Sequence, residues 1–273
     1  MKRILTAVVG LPILLFTIWS PSPYFFVALT AIAILLALNE LYALSLKSAC
    51  RPQTVLGSLA AVAVILSFTF DRPVLIVAIL SALSILSLAS RVSRPIEIEQ
   101  ALVSVAATLF GVVYVAVLAS CLIGVRMLTD AAAFPHAASK LLTMFFAIVM
   151  MTDTGAYYIG RALGRHKLAP RVSPGKTVEG AIGGLATAIL VGPLCKLTFF
   201  PEIHLSHALA LGAAIGLLGQ IGDLAESLLK RGAGVKDSGN LLPGHGGMLD
   251  RIDSILFCAP LLFYYSRLLT SGF

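Results

Sequence analysis

Nine apolar stretches set what this chain can fold into. They fall at about 4–19, 24–46, 54–70, 74–90, 101–125, 141–160, 178–200, 207–229 and 252–269. A helix needs roughly 17–25 largely apolar residues to cross a bilayer. Inside the hydrocarbon every backbone N–H and C=O must be bonded within the structure, and a helix meets that demand segment by segment. The expected fold class is all-α, a polytopic integral membrane protein of about nine transmembrane helices. Composition agrees: 58% of residues are hydrophobic and 12% charged, against about 45–50% and about 25% in soluble domains. The first stretch follows Lys2-Arg3 in the manner of a signal peptide. It ends in "WSPSPY" with no small-x-small cleavage site, so it counts as a helix. Pro73 in "DRP" separates the third stretch from the fourth, which makes them a hairpin.

Charge orients the spans. With nine of them, one side collects Lys2, Arg3, Lys47, Arg51, Arg91, Arg94, Arg161, Arg165, Lys167, Arg171, Lys176, Lys230, Arg231, Lys236 and Arg251. The other keeps Arg72, Arg126, Lys140, Lys196 and Arg267. Fifteen against five places the N-terminus in the cytoplasm and the C-terminus outside. The same bias accounts for the net charge of +7 through an anionic membrane surface, with no need of nucleic acid. The four cysteines form no CxxC pair, so neither a zinc site nor a disulfide framework is indicated. The expected organisation is one membrane domain, 1–273. Residues 1–140 form a lipid-facing and dimer scaffold, and 141–273 form the catalytic helices and cytoplasmic loops.

Nearly all the unusual polar chemistry lies between 150 and 254. Ionisable residues within spans are costly and point to function. Asp153 lies in the inner half of the sixth span. In the eighth, Gly212, Gly216, Gly219, Asp223, Glu226 and Lys230 recur every three or four residues and share a face. The glycines allow close approach of a neighbouring helix, and the acids and lysine turn toward that same neighbour. The ninth span opens with Asp250 and Asp253, again on one face. Clustered carboxylates repel and call for a cation, and Mg²⁺ suits carboxylates that share it with substrate phosphates. The plainer alternative pairs each acid with a nearby base, such as Glu226 with Lys230 or Asp250 with Arg251. Glu40, at the inner end of the second span, either joins the acids or stands as a solvated interfacial carboxylate.

Two cytoplasmic loops carry the opposite charge. "GRALGRHKLAPRVSPGKTVEG" places Ser173, Lys176 and Thr177 before the seventh span, where backbone N–H groups and an ammonium can meet a phosphate. Arg161 and Arg165 either join them or belong to an ordinary positive loop. A P-loop is excluded, because its first glycine would fall at Pro170. "KRGAGVKDSGNLLPGHGG" adds Lys230, Arg231 and Lys236, and its glycines, Gly246 and Gly247 among them, let N–H groups approach an anion. Asp237 could bind a cation or pair with Lys236, and His245 could contact phosphate or base, or order the loop. Acids, a metal and basic loops at the membrane surface indicate phosphoryl or nucleotidyl transfer to a lipid.

These residues also match a known pattern. "SLLKRGAGVKDSGNLLPGHGGMLDRID", Ser227–Asp253, resembles the signature of the phosphatidate cytidylyltransferases (CDP-diacylglycerol synthases) at every position. "DTGAYYIGRALGRHKLAPRVSPGKTVEG" resembles the family's second block, and over 1–140 the likeness is general. The resemblance implies transfer of CMP from CTP to phosphatidate, giving CDP-diacylglycerol and pyrophosphate for phospholipid synthesis. It implies Mg²⁺, in some members K⁺ beside it, and a homodimer. It makes Asp223 and Asp250 catalytic metal ligands, with Asp253 and Asp153 as further ones. Ser173, Lys176, Lys230, Arg231, Lys236 and His245 would handle phosphates, with Thr177, Gly246, Gly247 and Arg251 beside them. A short chain without further targeting segments fits a bacterial inner membrane. Two rivals fare worse. A CDP-alcohol phosphatidyltransferase needs an Asp-x-x-Asp-Gly-x-x-Ala-Arg pattern, which is missing. A transporter leaves "SPGKT" and "PGHGG" without a role.

Overall fold

The computed structural model describes residues 2–48, 50–93, 98–128, 135–239 and 246–270. Each apolar stretch is a helix: α1 (Lys2–Trp19), α2 (Tyr24–Lys47), α3 (Thr54–Thr69), α4 (Leu75–Ser93), α5 (Ile98–Gly111), α6 (Leu118–Arg126), α7 (Ala137–Leu163), α8 (Val178–Thr198), α9 (Leu205–Gly232) and α10 (Leu249–Thr270). A π-helical turn, Val112–Val117, joins α5 to α6, so these two form one rod. Among the described residues seven helices have the length and hydropathy to cross a bilayer, the α5–α6 rod among them. Val9–Trp19 and α3 are apolar but shorter. Large apolar side chains stand outward, Val77 at 72% and Leu197 at 81% exposure. Such a surface is stable against lipid rather than water. The protein is an all-α integral membrane protein.

One departure from helix lies where the sequence places a helix start. β1 (Lys167–Ala169) and β2 (Ser173–Thr177) form an antiparallel ribbon with Lys167 opposite Thr177. Pro170 and Pro174 explain it, since each lacks an N–H and clashes with a preceding helical turn. Extended backbone continues to Thr177, at φ −124° and ψ 155°. Its hydroxyl then caps α8 by accepting the Gly180 N–H at 3.1 Å.

The chain packs as two compact units. One comprises Met1–Met127 with Leu229–Ile252, the other Leu128–Leu228 with Asp253–Phe273. Most of the signature segment, Leu229–Ile252, thus falls in the unit of the N-terminal helices. In the first unit the fully buried Tyr42 donates to the Thr108 carbonyl at 2.9 Å. That hydroxyl enters the helical ladder just ahead of the π turn, a usual cause of such irregularities.

In the second unit, small residues bring helices together. A Cβ on Gly184 of α8 would lie 2.9 Å from the Thr152 carbonyl of α7. On α9, one at Gly212 would lie 2.5 Å from the Ala188 carbonyl of α8, and one at Gly222 would lie 2.7 Å from the Asp253 carbonyl of α10. The glycines do draw neighbours close, but they serve two helices rather than one. Away from the signature segments, the Lys140 ammonium meets Glu202 at 2.5 Å, and this hydrogen bond holds the Glu202 carboxyl below its usual range.

Candidate active site

The second unit contains a cavity of about 480 Å³. One wall is α7, where Asp153, Tyr157 and Arg161 recur every four residues and share a face. The eight-residue step from Asp153 to Arg161 covers ~12 Å. The β-ribbon supplies Ser173, Gly175, Lys176 and Thr177, and α9 supplies Gln220 and Asp223. The cavity thus carries carboxylates, an aromatic ring and cations along its length.

Two interactions define its electrostatics. Lys176 Nζ lies 2.5 Å from Asp223 Oδ2, and the two side chains are 29% and 31% exposed. Arg161 donates to the Tyr157 hydroxyl at 3.3 Å. Gln220 adds a feature the sequence reading missed. Its Nε2 donates to the carbonyls of Ala181 at 3.2 Å and Gly216 at 3.0 Å. A carbonyl can only accept, so these bonds fix the amide's orientation. Oε1 remains as an oriented acceptor on a cavity-lining residue. Its signal in the sequence was its place on α9, three residues before Asp223.

The first unit holds a second constellation. Lys230 Nζ lies 2.6 Å from Asp250 Oδ1, with side chains only 12% and 7% exposed. Asp250 Oδ2 accepts from Gly247 N at 2.7 Å, Ser238 N at 3.0 Å and the Ser238 hydroxyl at 3.0 Å. Glu40 accepts from Met248 N and Leu249 N at 2.8 Å each, and its Oε2 lies 2.8 Å from the Ser238 hydroxyl, whose single proton it shares with Asp250. Within the described part of the glycine-rich segment, the Ser238 and Gly247 amides meet Asp250, a carboxylate of the protein itself.

The remaining predicted residues divide simply. Ser173 and Thr177 line the cavity, Thr177 with its hydroxyl committed to the cap. Arg231 and Lys236 are exposed, Arg231 donating to the Val235 carbonyl at 3.1 Å. Arg251 is exposed, and Asp253 accepts from the Ser254 amide at 2.6 Å. Arg165 and Asp237 are exposed, and Glu226 is fully buried. Gly246 has a φ of +77°, which glycine adopts without strain. His245 lies outside the described residues. Among the described residues no group of three or more His, Cys, Asp or Glu is placed to hold a metal ion. Asp153 and Asp223 both line the cavity, and one or two carboxylates with water and phosphate are the donors Mg²⁺ commonly takes.

The protein is thus an all-α membrane protein with a cavity lined by both carboxylates and cations. A model of the cytidylyltransferase family matches residues 1–269, and the chain belongs to that family. Phosphatidate cytidylyltransferase of Staphylococcus aureus (strain COL) is 53% identical over 119 residues, 43% of this chain and 45% of that protein. Its namesake in Staphylococcus haemolyticus (strain JCSC1435) is 54% identical over 119 residues, with the same shares. That of Staphylococcus epidermidis (strain ATCC 12228 / FDA PCI 1200) is 51% identical over 125 residues, 45% of this chain and 47% of that protein. The aligned stretch spans just under half the length of each relative.

Proposed function

We propose that the protein is a phosphatidate cytidylyltransferase of the bacterial inner membrane. It would transfer CMP from CTP to phosphatidate at the cytoplasmic face, giving CDP-diacylglycerol and pyrophosphate. The observation that carries this reading is the cavity in which the Lys176–Asp223 pair lies with Asp153, Arg161, Ser173 and Gln220. Relatives named for the same activity support it. The reading includes nine spans with a cytoplasmic N-terminus, a homodimer, Mg²⁺ and K⁺ beside it.

The chemistry joins two anions. A phosphatidate phosphate oxygen attacks the α-phosphorus of CTP, and the bond to the oxygen bridging the β-phosphorus breaks as pyrophosphate leaves. The attacking oxygen is already ionised and needs little general-base help. The task is to hold two anions in line and to neutralise charge developing on the leaving group. Arg161, Ser173 and Lys176 would hold phosphates at one end of the cavity. Lys230, Arg231, Lys236, His245 and Arg251 would serve the lipid phosphate. Asp153 and Asp223 would hold Mg²⁺ with the substrate phosphates, and Asp250 and Asp253 are the further ligands in this reading. When bound, the ion supplies Lewis-acid neutralisation of phosphate charge.

Gln220 would read the base. Its oriented Oε1 needs a hydrogen-bond donor, and the diacylglycerol part of phosphatidate has none. The cytosine amino group is one, and Gln220 lines the same cavity as the residues that would hold the phosphates.

The test is radiolabelled CTP with phosphatidate and purified protein, with and without Mg²⁺. The expected result is a lipid-soluble, Mg²⁺-dependent CDP product, lost in Asp223→Ala and Asp250→Ala that still insert and purify. No lipid product from the wild type would overturn the reading. Full activity of either variant across a magnesium titration would overturn its metal role.

A further inference from the structure

Glu40 sits on α2, far in sequence from both motifs, yet its carboxylate lies among the residues that surround Asp250. Oε1 accepts the Met248 amide at 2.8 Å, and Oε2 accepts the Leu249 amide and the Ser238 hydroxyl at 2.8 Å each. These amides open the first turn of α10, where helix N–H groups lack intrahelical partners and a carboxylate is favoured by the helix dipole. The chain leaves room for the carboxylate. A Cβ on Gly239 would lie 2.8 Å from Glu40 Oε1, and one on Gly247 would collide with Glu40 Oε2 and Ser238 Oγ. Glu40 is therefore gripped by two stretches of the signature segment, Ser238–Gly239 and Gly247–Leu249.

The grip passes directly to Asp250. The single Ser238 hydroxyl lies 2.8 Å from Glu40 Oε2 and 3.0 Å from Asp250 Oδ2. The Ser238 amide donates to the same Asp250 oxygen at 3.0 Å, and Gly247, next to Met248, donates to it at 2.7 Å. Ser238 and Gly247 donate to Asp250 Oδ2, and Glu40 holds Ser238 and the residues next to Gly247. Asp250 Oδ1 then points at Lys230.

We propose that Glu40 is a positioning residue: it latches Ser238 and the first turn of α10, and so sets the orientation of the Asp250 carboxylate. This rests on the functional reading above for what Asp250 does, but not for the latch. Residues that orient a metal ligand from behind typically change metal affinity or activity ~10–100-fold when altered.

Glu40→Gln separates this role from bulk packing, because it keeps the shape. One side of an amide is a donor and cannot accept an N–H, so the variant loses acceptors at Met248, Leu249 or Ser238. In purified full-length protein, hydrogen–deuterium exchange over 246–252 is expected to speed up at Met248 and Leu249. Ser238→Ala should leave those two amides protected, since their bonds to Glu40 remain. In CMP transfer, both variants should raise the half-saturating Mg²⁺ concentration, Glu40→Gln by ~10–100-fold, with the KM for CTP little changed. Unchanged exchange in Glu40→Gln overturns the latch. Faster exchange with a wild-type magnesium profile overturns the positioning role. A wild type that turns over no CTP overturns the functional reading instead, and the exchange result then decides the latch by itself.

Discussion

Lys176→Met should move two properties of the enzyme in opposite directions. Lys176 meets Asp223 at 2.5 Å, so it covers a carboxylate assigned to Mg²⁺ and is also the cation assigned to a phosphate. At that distance the gross attraction is ~6–7 kcal/mol in a medium of effective dielectric constant about 20. The side chains are 29% and 31% exposed, so solvent screening and desolvation cancel most of it. The net worth of such a pair is about 0.2–1 kcal/mol. Removing the lysine frees Asp223 and should tighten Mg²⁺ binding by up to about fivefold, the factor that 1 kcal/mol represents. The same change removes a charge that stabilises the transition state, which should lower kcat by ~10²–10³. Mn²⁺ binding followed by electron paramagnetic resonance reads the first effect without turnover, and CMP transfer across a magnesium titration reads the second. Weaker metal binding in Lys176→Met would refute the reasoning, since the lysine would then be helping to build the metal site rather than covering it.

Two further outcomes follow from the geometry. The Lys230–Asp250 pair is nearly buried, at 12% and 7% exposure, so Lys230→Met strands a charge and should cost about 3–5 kcal/mol. Thermal unfolding in detergent should show the loss, and Lys230→Met with Asp250→Asn should recover most of it. Gln220→Leu should cut the preference for CTP over UTP about tenfold or more, the value of a hydrogen bond to the base amine. Competition between the two labelled nucleotides measures it, and an unchanged ratio assigns base reading elsewhere.

The helices were legible because lipid imposes one requirement on every span, and a run of apolar residues is its direct trace. The β-ribbon was not read, although Pro170 and Pro174 recorded it. Gly175-Lys176-Thr177 has the composition of a helix start, but proline forces extended chain before Thr177 can cap α8. The site divides in the same way. Asp153, Lys176 and Asp223 are unusual within or beside apolar helices and were found by that contrast. Their partners were not, because Lys176 and Asp223 lie 47 positions apart (223 − 176) and no periodicity links a strand to a helix face. Gln220 is an unremarkable polar residue until two backbone carbonyls fix its amide. Glu40 was noticed as an acid near a membrane surface, but its donors come from the other end of the chain.

That last separation has a consequence during synthesis. Glu40 is made 208 residues before Met248 and 209 before Leu249. At ~5–20 residues per second, it waits roughly 10–40 s for the amides it will hold. During that interval α2 carries a carboxylate that only water can satisfy, which favours keeping its end at the membrane surface. When the first turn of α10 emerges, it meets an acceptor already in place. The signature segment is thus completed by one of the earliest helices and one of the last, so a chain interrupted after α9 would hold its basic residues without the turn that orders them.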